Sequence, residues 1–139
     1  MDDPNFDSSV ILIAEHNANG ALGFVINKAF ERSLNELIEF SGSPAFSLYE
    51  GGPVDQEHLY FVHRRSDLVP GGEFITDIIY LGGDFQKTIE QINNGSLTSN
   101  DIKIFIGYCG WDTGELEAEI AEGSWEVKGL DLKDLFASK

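Results

Sequence analysis

Three histidines, one cysteine and a large excess of carboxylates are the groups in this 139-residue chain that could do acid–base, nucleophilic or metal chemistry. His16 stands in Glu15-His16-Asn17 at the end of an apolar run. An imidazole between a carboxylate and an amide can act as a general base or a metal ligand. Alternation along a strand would put Glu15 and Asn17 on one face and His16 on the other, so the competing reading is a hydrogen-bonded strand end. His63-Arg64 also closes a strand. The Arg64 fork suits an anion or carboxylate, and an ion pair with a neighbouring Asp or Glu is the favoured alternative. His58 has no supporting context and reads as a surface loop residue.

A zinc site wants closely spaced His or Cys pairs. The histidines are 42 and 5 residues apart and no HExxH occurs. Glu115, Glu119 and Glu122 share a helical face by spacing and could meet a hard cation, although a solvated face explains them better. Cys109 precedes Gly110-Trp111 at a strand end, where nucleophiles can sit. A small buried residue is the simpler reading. No G-x-S-x-G elbow is present. Glu50 beside Gly51-Gly52 is a carboxylate on a bare loop that could face a cleft. Gly51-Gly52-Pro53 and Gly82-Gly83-Asp84 match no phosphate-binding motif and read as tight turns or close backbone packing. No metal or cofactor is expected.

The elements that must position these groups follow from periodicity. Residues 9–15 and 21–27 form strands joined at Asn17-Ala18-Asn19-Gly20, a hairpin. Ser33 with Glu36 is a capping box that predicts a helix up to Gly42. Residues 46–50 and 59–63 are strands, 66–76 a loop, and 77–81 another strand. Asp84 caps a helix over 84–93, closed by Asn93-Asn94-Gly95. Residues 102–108 are apolar on both faces, the mark of a central strand. Asp112 and Glu115 cap a further helix running to Glu122, with Trp111 placed to pack on Leu116. A last strand at 125–127 and a short helix at 131–136 complete the pattern. The fold class is therefore α+β: one domain over 1–139, a mixed sheet with three to four packed helices.

Twenty-four Asp and Glu against nine Lys and Arg leave a net charge of −15. Nucleic-acid affinity comes largely from clustered cations, and the one adjacent basic pair is Arg64–Arg65. Direct binding to DNA is disfavoured, and neither the helix at 33–41 nor that at 84–93 has a basic face. No run approaches ~18 apolar residues, so no membrane helix is expected. The acidic start MDDPNFD is unlike a secretory signal, and a single cysteine fits a reducing cytoplasm.

Five blocks occur in an order that resembles one bacterial family: DPNF (Asp3–Phe6), SVILIAEHN (Ser9–Asn17), GALGFVIN (Gly20–Asn27), YEGGPV (Tyr49–Val54) and GYCGWDTGELEAEI (Gly107–Ile120). The family is the AlgH/YqgE-like proteins, some labelled transcriptional regulators. The resemblance implies a mixed sheet partly curled into a barrel, and a further apolar strand ahead of DPNF where this chain has only Met1 and Asp2. An open strand edge, and hence a homo-oligomer, is the corresponding expectation. Relatives carry Ala or Ser more often than Cys at position 109, which argues against a required thiol. The matching blocks offer Asn5, Asn17 and Asn27 near strand ends. Together with His16, Glu50, Gly51, Gly52, His63, Arg64 and Trp111 they are expected to gather around one strand-end cleft. The expected function is an accessory or regulatory role in the cytoplasm through a protein partner or small ligand. A regulator that contacts DNA and a small-molecule hydrolase or transferase are the alternatives.

Overall fold

The computed structural model describes residues 10–37, 40–76, 78–127 and 135–136. Its centre is β7 (Ile102–Asp112), the strand that is apolar on both faces. β1 (Ile11–Asn17) and β2 (Gly20–Val25) form the expected hairpin, and β2 pairs antiparallel with the far end of β7, Gly20 opposite Asp112 and Gly23 opposite Cys109. β3 (Leu48–Glu50) runs parallel to β7, whereas β4 (Val54–His63) runs antiparallel to it. β5 (Glu73–Thr76) and β6 (Ile79–Leu81) extend the sheet, giving the order β1-β2-β7-β4-β6-β5 with β3 beside β7. The result is mostly β, a nearly closed, barrel-like sheet that fits the α+β expectation broadly.

Alternation along β7 divides the core into two layers. Ile102, Ile104 and Ile106 pack with Leu34, Leu48, Phe61, Ile92 and Leu97 on one face. Phe105 packs with Leu12, Phe24, Ile26, Val62, Ile79, Leu135 and Phe136 on the other. Phe24 and Phe105 stack there with ring centres 4.6 Å apart. Helix α1 (Phe85–Asn93) closes the first face through Phe85, Ile89 and Ile92. Asp84 caps it as expected, its side chain accepting from Lys87 N at 3.0 Å, and the chain leaves it at Asn94.

The backbone between β3 and β4 explains Gly51-Gly52. Residues 104–106 of β7 pair with both strands, so β3 and β4 lie on opposite edges of β7. β4 begins at Val54, four positions after β3 ends at Glu50, so by then the chain has crossed over the strand between them. The crossing is backbone on backbone. Gly51 N donates to Ile106 O at 2.9 Å, and a Cβ on Gly51 would stand 2.5 Å from Gly107 O. A Cβ on Gly52 would land on the Tyr108 carbonyl group itself. Gly107 has φ +73°, a conformation that favours glycine, and faces Gly52 O.

Several expectations need correction. A count of three to four helices is not supported: the described residues hold two complete helices, α1 and α2 (Glu115–Ala121), with a 3₁₀ turn at Leu34–Glu36. The Ser33/Glu36 capping box forms, but Leu37 is extended and the turn stops. Leu34 N, a first-turn donor with no partner inside a helix, donates to Phe46 O at 2.8 Å. Residues 73–76, expected as loop, are β5. β4 begins five residues earlier than expected, and 125–127 are not a strand. Asp112 ends β7 and Gly114 precedes α2, while Glu115 Oε1 accepts from Asp112 N at 2.7 Å. Of the expected helix at 131–136, Leu135 and Phe136 are helical and the other four residues lie outside the described residues.

Candidate functional site

The expected residues fall into three groups along β7. At one end His16, Ala21 and Trp111 occupy one row across β1, β2 and β7. α2 lies over this end. His16 Nε2 is 3.0 Å from Glu117 Oε2, and the hydrogen bond holds the Glu117 carboxyl below its usual range. Trp111 Nε1 donates to Glu119 Oε1 at 3.1 Å, and Trp125 Nε1 donates to the same oxygen at 2.8 Å. The structure thus joins His16 and Trp111 through one helix. It spends Glu115 and Glu119 on an amide and two indoles rather than on a shared cation. No cluster suited to a metal ion occurs among the described residues.

Glu50, Gly51 and Gly52 lie midway. Glu50 Oε2 is 3.3 Å from Lys28 Nζ. Gly51 O accepts from Val25 N at 2.8 Å and takes the Cys109 Sγ contact at 3.5 Å. Burial raises the Cys109 thiol to about 11, so it is a packed hydrophobe rather than a nucleophile. Asn17 and Asn27 tie loops. Asn17 Oδ1 accepts from Asn19 N inside the hairpin turn, and Asn27 Oδ1 accepts from Val10 N at 3.0 Å. Asn5 lies outside the described residues.

His63 and Arg64 sit at the opposite end of β7, where His63 pairs with Ile102. That is nine residues, roughly 30 Å of strand, from Trp111. His63 is fully buried. Its Nε2 lies 2.9 Å from Gly82 O, and Nδ1 accepts from Arg65 N at 3.2 Å, so the proton resides on Nε2. Its ring stacks on Tyr80. Burial pushes its pKa below the usual 6.5. The linkage follows: between its folded pKa and 6.5 the unfolded chain takes a proton that the folded chain refuses. Thermal stability is expected to fall as pH drops below about 6.5, and a His63→Gln variant should show a shallower fall in the same scan. Arg64 pairs with Asp101 (Nε–Oδ1 3.6 Å), the favoured alternative in sequence.

One cluster escaped sequence reasoning. Between Val54 and Leu59 four residues of β4 bulge opposite the single Gly107 of β7. Asp55 holds a positive φ of 53°, uncommon for a residue with a side chain. Its carboxylate bonds His58 Nδ1 at 2.7 Å and accepts from Tyr60 Oη at 2.5 Å. These bonds lower the Asp55 carboxyl and raise the His58 imidazole. Tyr60 is pushed up to about 12, by burial first and then by the Asp55 bond. The only sequence signal was the Asp55/His58 spacing. In Asp55→Ala, a spectrophotometric titration should show the Tyr60 phenol ionising at lower pH yet above the usual 10.0, because its burial remains.

Fold and site together define a small α+β protein with a curled mixed sheet, whose polar side chains bond one another at separate stations along a central strand. All of residues 1–139 match the model of one family, described as AlgH-like, and the chain belongs to that family. It is 40% identical over 121 residues to a UPF0301 protein of Chlorobium luteolum, covering 87% of this chain and 64% of that relative. A second UPF0301 protein, from Chlorobaculum tepidum, is 34% identical over 99% of this chain and 73% of its own length. The chain therefore spans between about two thirds and three quarters of these relatives. The solution structure of the AlgH protein from Pseudomonas aeruginosa superposes with a TM-score of 0.80 at 30% identity, covering 99% of this chain and 75% of that one. A crystal structure from Corynebacterium diphtheriae gives 0.79 at 25% identity, with 99% and 74% covered.

Proposed function

We propose that this domain is an accessory or regulatory protein of the bacterial cytoplasm that acts by docking a protein partner. The observation that carries this reading is the exposed apolar pair on the β5–β6 hairpin. Phe74 is 62% exposed and Ile78 44%. β5 ends the pairing path of the sheet, and edge strands offer main-chain donors and acceptors to an incoming strand. An aromatic anchor beside such an edge is the usual centre of a docking surface. The net charge of −15 favours a basic partner surface and opposes a phosphate backbone. A second copy of the chain is the homo-oligomeric form of the same reading, through β5 or through β1 at the other end of the path.

The test is a photo-crosslinking residue placed at Phe74 in cells, with the same residue at exposed Glu90 of α1 as control. A discrete adduct from position 74, absent from position 90, is expected. A covalent dimer would identify the second copy as the partner. No adduct at 74, or equal labelling from both positions, would remove the reading.

A further inference from the structure

The two helices are fastened to the sheet in different ways. α1 has nine residues, a side-chain cap from Asp84, and Thr88 and Ile92 buried, with Phe85 and Ile89 packed beside them. α2 has seven residues, Gly114 before it supplies no side-chain cap, and Leu116 is its buried residue. Glu115, Glu117, Ala118 and Ala121 are exposed. A helix this short is marginal unless an apolar face docks it. Besides Leu116 and the half-buried Ile120, its ties among the described residues are polar. Glu115 accepts from Asp112 N, Glu117 meets His16, and Glu119 accepts from the Trp111 and Trp125 indoles. Pairs as open to water as His16 and Glu117, with side chains 43% and 56% exposed, add little to stability.

Both ends of α2 are glycines in the left-handed region, Gly114 at φ +79° and Gly123 at φ +83°. Among the described residues a Cβ on either would meet nothing within 4 Å, so neither glycine is there to make room for a neighbour. What each supplies is backbone freedom. A helix between two such joints can turn as a body while its flanks stay in place. Before it, β7 is held in the ladder as far as Asp112, opposite Gly20. After it, Leu135 and Phe136 return to the apolar layer that holds Phe105. Beneath it lies the row of His16, Ala21 and Trp111.

We propose that α2 is a lid, hinged at Gly114 and Gly123, that opens as a unit while the sheet and α1 stay folded, and so governs access to the row of His16, Ala21 and Trp111. Opening parts Glu117 from His16 and Glu119 from both indoles, and it uncovers Leu116. No covalent step is involved. The lid works whatever partner the β5 edge takes.

The test is hydrogen exchange on the full chain, read by NMR at urea concentrations below the unfolding transition. Relative to their intrinsic rates, the amides of Ala118 to Ala121 in α2 are expected to exchange about a hundredfold faster than those of Thr88 and Ile92 in α1. Their exchange should also respond weakly to urea, because a local opening exposes little surface. A thiol readout checks that the whole helix lifts rather than its last turn. Leu116 lies in the first turn of α2, so Leu116→Cys in a Cys109→Ala background reacts only when the helix rises. With each rate taken relative to the same chain in denaturant, its labelling by an aromatic disulfide is expected to be about a hundredfold faster than that of Cys109, buried in β7 of the unaltered chain. Amides of α2 that show the protection and the urea slope of α1 would overturn the proposal. So would a thiol at position 116 that labels no faster than Cys109.

Discussion

Gly52→Ala is expected to lose about 3–5 kcal/mol of stability, at the upper end of what single substitutions do. The reason is the crossing of the β3–β4 connection over β7. Ordinary overpacking in a core costs about 1–3 kcal/mol because side chains shift rotamer and absorb the insult. Here the obstacle is the Tyr108 carbonyl group, part of a strand bonded on both edges, and it has no rotamer to change. Equilibrium unfolding in urea measures the effect as a lower midpoint at similar slope. Gly42→Ala is the matched control. Nothing lies within 4 Å of the Cβ it would add, and the change should stay within about 0.5 kcal/mol. A Gly52→Ala protein as stable as the control would mean that the crossing does not run where it is described.

The second large effect concerns Lys103 and high pH. Burial lowers its pKa from 10.5 to about 8. Between those values the folded chain has released a proton that the unfolded chain still holds, so stability rises with pH through this window. The window opens near pH 8 and closes near pH 10.5. Each pH unit is worth 1.36 kcal/mol at full separation. With residual hydration discounted, the gain from pH 8 to pH 10 is about 1–2 kcal/mol. The measurement is unfolding free energy across that range for wild type and Lys103→Met. Wild type should gain stability relative to the variant as pH rises, since only the lysine sheds a buried charge in that window. At pH 7 the methionine variant is expected to be as stable as wild type or more so, as when buried ions are replaced by apolar groups. A constant difference across the range would show that Lys103 is not held away from water.

Legibility in the sequence tracked the distance over which each interaction acts. The β1–β2 hairpin was visible because Asn17 to Gly20 are four consecutive residues, and α1 because Asp84 caps Lys87 three residues on. The Ser33/Glu36 box was equally visible, and it formed. It closed a single 3₁₀ turn, after which Leu37 takes an extended backbone, a change of conformation that the local sequence did not announce. Of the candidate residues, Asn17 proved to be a local tie, which its spacing allowed. His16 meets Glu117 across 101 positions, and no pattern within the chain pairs those two. His58 looked empty of context because its partners, Asp55 and Tyr60, face it only after β4 bulges opposite Gly107.

Kinship, the short-range turns and caps, and the place of β7 at the centre of the sheet could be read from the residues alone, since apolar side chains on both faces call for a central strand. So could the acidic surface, which is a sum over residues and needs no fold. The folded chain was needed to show that Gly51 and Gly52 are a crossing of backbone on backbone, and that His63 is a core residue bonded to backbone. It alone placed Lys103 beneath Leu135 and Phe136. Each of these depends on which segments pass within a few ångströms of one another. That is set by the pairing order around β7, and pairing order acts between residues that are remote along the chain.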